Sequence, residues 1–150
     1  MKRVLGAVAA VMLVVSPALT AVAAPVSKAQ IAEVLRNSGY SVNDFKPNML
    51  AVHVGEHLVL VGVDGADGDI SYITYLEGLT AGTVGHQFLS KFNSEVKFGR
   101  AYVDRDGDVT IQMDRNVVGG VSLQNIESDF DVFLLLISKF LSDLESRVSA

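Results

Sequence analysis

Two histidines and a glutamate lie close together in His53-Val54-Gly55-Glu56-His57, which spells the H-x-x-E-H pattern of one class of zinc proteases. That chemistry requires a helix, because residues four apart must share a face to bind one zinc ion while the glutamate activates a water. Here β-rich segments flank the five residues, and Gly55-Glu56 is typical of a hairpin turn. Side-chain alternation in such a hairpin sends the two histidines to opposite faces. We therefore predict hairpin residues rather than a metal site.

Two acidic groups are the next candidates for chemistry, because carboxylates are the ligands that calcium prefers. Neither group has the D-x-D-x-D-G spacing with a glutamate at position twelve that an EF-hand loop requires. Aspartate and glycine are also the residues that tight turns favour. Turn formation is the first interpretation, and a calcium site in the loop from Asp64 to Asp69 remains the alternative. The groups are Asp64, Asp67 and Asp69, and Asp104, Asp106 and Asp108.

Other catalytic patterns are missing from the sequence. There is no G-x-S-x-G nucleophile motif, no phosphate-binding loop and no dinucleotide fingerprint, and the absence of cysteine excludes thiol nucleophiles and cysteine–zinc sites. We expect a protein that is not an enzyme, with no catalytic residues and no cofactor.

The run Leu58-Val59-Leu60-Val61 is apolar in both side-chain phases. A strand that is covered on one face only should alternate with polar residues. We therefore expect something to cover its second face at Leu58 and Leu60, either another subunit or a client polypeptide. The alternative is a central strand that the same chain covers on both faces.

Arg100 lies among aromatic residues in Phe98-Gly99-Arg100-Ala101-Tyr102. A two-residue Asp106-Gly107 turn predicts that Arg100 and Tyr102 share a face with Phe98, Ile111 and Met113. An arginine in such surroundings must be paired or must extend to solvent. It could form a salt bridge with a helix carboxylate, or Arg100 and Tyr102 could bind the carboxylate of a ligand or partner.

The elements that position these residues follow from periodicity, caps and turns. The order is α-β-β-β-α-β-β-α, which predicts an α+β fold with an antiparallel sheet and helices packed on one face. Ser27 and Gln30 form a capping box for the first helix, Thr80 can cap the second, and the last runs from Ser122 to Arg147. The predicted strands are Met49 to Val54, Leu58 to Val63, Ser71 to Leu79, Phe98 to Asp104 and Val109 to Arg115.

The first 23 residues have the pattern of a secretory signal peptide. Lys2 and Arg3 precede an apolar run from Val4 to Val15, and small residues at Ala21 and Ala23 suit signal peptidase. The apolar run is too short for a membrane anchor, which needs about 20 residues. We expect cleavage after Ala23, no membrane span in the mature protein, and a periplasmic or secreted bacterial domain of residues 24–150.

Composition limits the partners of that domain. The 150-residue chain is 49% hydrophobic and 19% charged, which fits one globular domain. Its net charge is −5, which becomes −7 once the two basic residues of the leader are removed. Because phosphate contacts need clustered lysine and arginine, we expect no nucleic-acid partner.

Several of these segments together resemble the YbjN family, whose members are described as bacterial sensory-transduction regulators. The resemblance covers about residues 27–145. It rests on Phe98-Gly99-Arg100-Ala101-Tyr102-Val103-Asp104, Asp106-Gly107-Asp108, Gln112-Met113-Asp114 and Gly119-Gly120-Val121-Ser122.

The resemblance implies a fold like that of type III secretion chaperones, which are non-enzymatic, commonly dimeric and bind extended segments of client proteins. We therefore expect a regulatory protein-interaction module that binds an unidentified protein partner, or forms a homodimer, through an apolar sheet face. The alternative is a periplasmic sensor of a small ligand or ion that uses Arg100 and Tyr102 or the loop from Asp64 to Asp69.

Overall fold

A computed structural model describes residues 25–148, and the predicted signal peptide lies outside the described residues. Residues 25–148 form ten elements along the chain. They are α1 (Lys28–Asn37), β1 (Ser41–Lys46), β2 (Met49–Val54), β3 (His57–Asp64), β4 (Asp69–Thr80), α2 (Ala81–Val84), α3 (His86–Glu95), β5 (Gly99–Val103), β6 (Asp108–Arg115) and α4 (Leu123–Val148).

The six strands form one antiparallel sheet with the order β1-β2-β3-β4-β6-β5. The first four strands follow one another as a meander. The chain then passes through α2 and α3 to the far edge, where β5 forms, and β6 returns between β5 and β4. The edge strands are therefore β1 and β5.

A single hydrophobic core lies between the sheet and the helices. All four helices contribute buried side chains to it, including Ile31, Val84, Phe92 and Phe130, and these meet one side-chain phase of the strands. Aromatic contacts tie the layers together, as where Tyr72 of β4 packs against Phe130 and Phe133 of α4. The predicted α+β fold with helices on one face of an antiparallel sheet is confirmed.

The caps predicted for the first and last helices are present. Ser27 and Gln30 exchange the two hydrogen bonds of a capping box at α1, and the Ser122 hydroxyl accepts from the Asn125 N–H at 3.1 Å. These bonds satisfy backbone donors that have no partner inside the helix.

The edge strand β1 is absent from the sequence prediction. Its sequence, Ser-Val-Asn-Asp-Phe-Lys, contains asparagine and aspartate, which are disfavoured in strands, and only Val42 is buried. The strand forms because β2 and α1 supply its contacts, which a local pattern does not reveal.

The helix predicted after Thr80 is divided into α2 and α3. Gly85 has φ +81°, a left-handed conformation that ends α2 and redirects the chain before His86. The cap predicted at Thr80 belongs to the short α2, where Thr83 completes a capping box.

The predicted register of the β5–β6 hairpin is wrong by one residue. Val103 pairs with Val109, and the Asp104 N–H donates to the Asp108 carbonyl at 2.9 Å, so the loop between the strands has three residues, 105–107, rather than two. The Asp104 carboxylate accepts from the N–H groups of Asp106 and Asp108 at 2.9 and 3.0 Å, which stabilises the longer loop. A one-residue shift moves side chains to the other face of the sheet.

Candidate interaction surface

The sheet face opposite the helices, which we call the open face, has no helix packed on it among residues 25–148. Its residues alternate with the core-facing ones and lie outside the core cluster. Pairing across the strands defines the face as Met49, Ala51, His53, Leu58, Leu60, Ser71, Ile73, Tyr75, Arg100, Tyr102, Thr110, Gln112 and Asp114.

An apolar area occupies the centre of the open face. Leu60 pairs with Ala51 on one side and with Ile73 on the other. Leu60 is only 7% exposed although no described helix covers it, so neighbouring side chains on the same face must shield it. Leu58 and Tyr75 are 39% and 47% exposed, so they provide most of the accessible apolar surface.

The sequence drew attention to Leu58 and Leu60, and the structure places both on the open face. It adds Ile73 and Tyr75 from β4, which sequence reasoning missed. A usable signal was present, because Ile70-Ser71-Tyr72-Ile73-Thr74-Tyr75-Leu76 carries large apolar side chains in both phases, as β3 does.

Arg100 and Tyr102 also lie on the open face, but the one-residue register shift changes their surroundings. Arg100 pairs with Gln112 across the strands, so Ile111 and Met113 face the core on the other side of the sheet. The prediction that Arg100 shares a face with these two residues is therefore wrong.

The partner of Arg100 is a strand residue rather than a helix carboxylate. Its guanidinium lies 3.3 Å from the Asp114 carboxylate and 5.7 Å from the centre of the Tyr102 ring. The Tyr102 hydroxyl donates to Gln112 at 2.9 Å, and the Gln112 amide donates to Asp114 at 2.7 Å. Partial burial and the nearby Tyr75 raise the pKa of Tyr102 above its ordinary value.

This network connects four side chains at one side of the open face. Asp114 already supplies Arg100 with a carboxylate partner from within the sheet. The geometry therefore favours a structural role for the pair over the ligand-binding role that the sequence left open.

Both edges of the sheet are occupied by polar side chains from helices. At β5, the Asn93 side chain of α3 donates to the Ala101 carbonyl at 2.9 Å and accepts from the Ala101 N–H at 2.7 Å. At β1, Arg36 donates to the Val42 carbonyl at 3.1 Å, and Lys28 donates to the Lys46 carbonyl at 3.3 Å. These bonds occupy backbone groups that another strand would need for pairing.

The histidine pattern occupies a hairpin, as expected from its sequence. Val54 pairs with His57, and His53 pairs with Leu58, so the two histidines point to opposite faces. His53 lies on the open face, whereas His57 lines a groove beside α4. Among residues 25–148, no group of three or more histidines and carboxylates has a geometry that could hold a metal ion.

The carboxylates of the acidic loops accept hydrogen bonds from other groups of the described chain. Asp69 accepts from the Val117 N–H at 2.9 Å, and Asp64 accepts from the Asn48 side chain. Asp104 accepts from two backbone N–H groups of its own loop and from the Thr110 hydroxyl at 3.3 Å. Because these carboxylates already accept hydrogen bonds within the chain, a structural role explains them better than a calcium site does.

No helix within residues 25–148 is long and apolar enough to cross a membrane. Apolar exposure is instead distributed over the sheet and a few helix and loop positions, of which Leu135 of α4 is 68% exposed.

Comparisons with known proteins give one family and one structure. A model of the YbjN family, described as "Putative bacterial sensory transduction regulator", matches residues 27–146. The crystal structure of YbjN from E. coli, described as "a putative transcription regulator", is similar with a TM-score of 0.60 and 14% identity. The likeness covers 77% of this chain and 88% of that one. At this identity it shows the fold alone, and a search of curated proteins finds no match.

Proposed function

The chain belongs to the YbjN family, and from that premise we propose that it is an exported, non-enzymatic regulator that binds a polypeptide partner. The binding surface in this proposal is the open face. The observation that carries it is the apolar centre of that face, where Leu58 and Tyr75 remain exposed with no helix of the described chain packed over them.

The surface suits docking of a partner onto the face better than addition of a strand at an edge. Strand addition needs free backbone groups along an edge. Asn93 occupies those of Ala101, and Arg36 occupies the carbonyl of Val42. A partner is therefore expected to pack its own apolar side chains against Leu58, Leu60 and Tyr75.

The location in this proposal rests on the leader pattern of residues 1–23. Expression of the full chain in a bacterium should give a periplasmic protein whose first residue is Ala24. N-terminal sequencing after cell fractionation checks this, and a cytoplasmic product that retains Met1 or Lys2 would contradict it.

The open face is tested by placing a charge at its accessible positions. We expect Leu58→Glu and Tyr75→Glu to reduce self-association, or co-purification with a partner, at least about tenfold, because a buried unpaired carboxylate opposes docking. Sedimentation and quantitative co-purification from the periplasm provide the measurement, and the native mass distinguishes a homodimer from a different partner.

Leu135→Glu is the matched control, because Leu135 is an exposed leucine on α4. It should leave association unchanged. Equal effects of all three substitutions, or a strictly monomeric protein without a partner, would contradict the proposal.

A further inference from the structure

Two concavities meet at the end of the sheet where β2 turns into β3. One has a volume of about 350 Å³ and lies between this turn and the C-terminal half of α4. The other has a volume of about 430 Å³ and lies beside β3 and β4. Because His57 and Leu141 line both, the two concavities are adjacent, and together we call them the end groove.

The end groove is apolar along its floor. Val54 and Leu134 line the part next to α4, and Leu79 lines the part next to β4, with Leu141 between them. All four are only partly buried and pack against the core, so their outer surfaces remain accessible. Such a surface can take apolar side chains from a partner.

The charged residues of the end groove all have one sign. Glu56, Glu77 and Glu145 line it, whereas no lysine or arginine of the described residues does. Glu56 and Glu77 are exposed and belong to no ion pair within residues 25–148. Carboxylates beside an apolar surface favour a partner that combines apolar groups with positive charge.

We propose that the end groove binds a polypeptide segment in which apolar side chains are interspersed with lysine or arginine. This goes beyond the proposed function, because the end groove lies largely on the helix side of the sheet. It shares Leu58 and Tyr75 with the open face but extends from them to His57 and Leu141, so it can be occupied without a partner packed over Leu60.

Charge argues against the other occupants of such a groove. Nucleic acids and anionic lipids would bring negative charge toward the exposed carboxylates of Glu56 and Glu77. A second copy of this chain carries a net charge of −5 and would add acidic residues rather than balance them. A basic amphipathic segment satisfies both the apolar floor and the carboxylates.

The test uses the protein purified after expression of the full chain and a labelled synthetic peptide of leucine and lysine in amphipathic order. Two comparison peptides replace every lysine by glutamate, or every leucine by serine. Fluorescence anisotropy should detect binding of the leucine–lysine peptide that weakens with added salt. Neither comparison peptide should bind measurably.

Variants locate the binding. The double variant Glu56→Gln/Glu77→Gln should weaken binding by at least about fivefold, as expected from the loss of two partly exposed ion pairs. Both side chains are exposed, so the fold should be preserved. Glu33→Gln/Asp131→Asn removes the same charge from exposed positions outside the groove and should change the affinity by less than about twofold.

Three results would overturn the proposal. They are the absence of binding to the unmodified protein, equal weakening by both double variants, and equal binding of the serine–lysine peptide. Amide chemical shifts separate the two surfaces, because the proposal predicts changes around His57 and Leu141. Changes confined to Leu60 and Ile73 would exclude the end groove while supporting the open face as a binding surface.

Discussion

At the level of single residues, Arg100 shows how much a functional interpretation depends on register. The sequence marks it as a charge among aromatic residues, and it does lie next to Tyr102. Its partner, Asp114, comes from the adjacent strand and could be identified only once the loop length was known. Because an exposed salt bridge contributes at most about 1 kcal/mol, this pair orients side chains more than it stabilises the fold.

Gly99 shows a second constraint at the residue scale. A Cβ atom placed on it would lie 2.5 Å from Leu136 Cδ1 of α4 and 3.0 Å from the Gln112 carbonyl oxygen. The close approach of α4 to the end of β5 therefore favours glycine at this position, because a larger residue would force Leu136 to move.

We predict that Gly99→Ala lowers the free energy of unfolding by about 1–3 kcal/mol, the usual cost of overpacking a core. Urea denaturation measures the change. The control is Gly82→Ala, because Gly82 is helical and the nearest atom to its added Cβ is 3.7 Å away. It should be neutral or stabilise the protein by up to about 1 kcal/mol. Equal stability of the Gly99 variant and the unmodified protein would show that α4 moves away at no cost.

At the level of elements, the sheet edges carry the clearest consequence for function. Asn93 binds both backbone groups of Ala101, and Ala101 itself is 2% exposed. The edge strand β5 is thereby closed to pairing with another chain, which leaves the faces of the sheet for recognition.

Asn93→Ala should therefore destabilise the protein by about 1–2 kcal/mol, because it removes two part-buried hydrogen bonds to the Ala101 backbone. Asn93→Asp keeps the acceptor for the Ala101 N–H, so its stability should lie between that of Asn93→Ala and that of the unmodified protein. Thermal unfolding with light scattering measures both stability and association. If Asn93→Ala were as stable and as soluble as Gln87→Ala, an exposed α3 control, the protective role of Asn93 would be wrong.

The link between α1 and β1 should depend on pH. The Lys28 ammonium lies 2.5 Å from the Asp44 carboxylate, and this hydrogen bond lowers the pKa of Asp44 below its ordinary value. A lowered folded-state pKa means that the stabilisation is complete above the unfolded-state value, about 3.9, and is lost as pH falls through the folded-state pKa.

The carboxyl carbon of Asp44, followed by NMR, should therefore titrate below the ordinary aspartate range. In Lys28→Met the pKa obtained from the same resonance should rise toward the ordinary aspartate value. An unchanged Asp44 titration in the variant would show that the ion pair does not persist in solution.

Local sequence signals accounted for most elements, but they failed where tertiary contacts or loop details decide. The two-residue turn at Gly55-Glu56 and the cap at Ser27 were predictable, because both depend on neighbouring residues alone. Strand β1 was not predictable, because Asn43 and Asp44 disfavour a strand until β2 and α1 are in place. The β5–β6 register was missed because hydrogen bonds to the Asp104 carboxylate favour a three-residue loop.

At the level of the whole molecule, the one-sided arrangement of helices connects fold to function. Among residues 25–148, all four helices pack on one face of the sheet, so the other face is the main surface without a helix on it. Leu58 and Leu60 could be identified from the sequence, because apolar residues in both phases indicate contacts on both faces. Tyr75 could not be ranked with them, since its exposure depends on its neighbours in the folded sheet.

The proposed function depends above all on contact between the open face and another polypeptide. Site-specific photo-crosslinking in the bacterial periplasm tests this contact most directly, with a benzophenone amino acid in place of Tyr75 and, as control, in place of Leu135. Both positions are exposed, but only Tyr75 lies on the open face. We predict a discrete adduct with one polypeptide, or with a second copy, from position 75 and none from position 135. The same adducts from both positions, or none from position 75, would contradict the proposed contact.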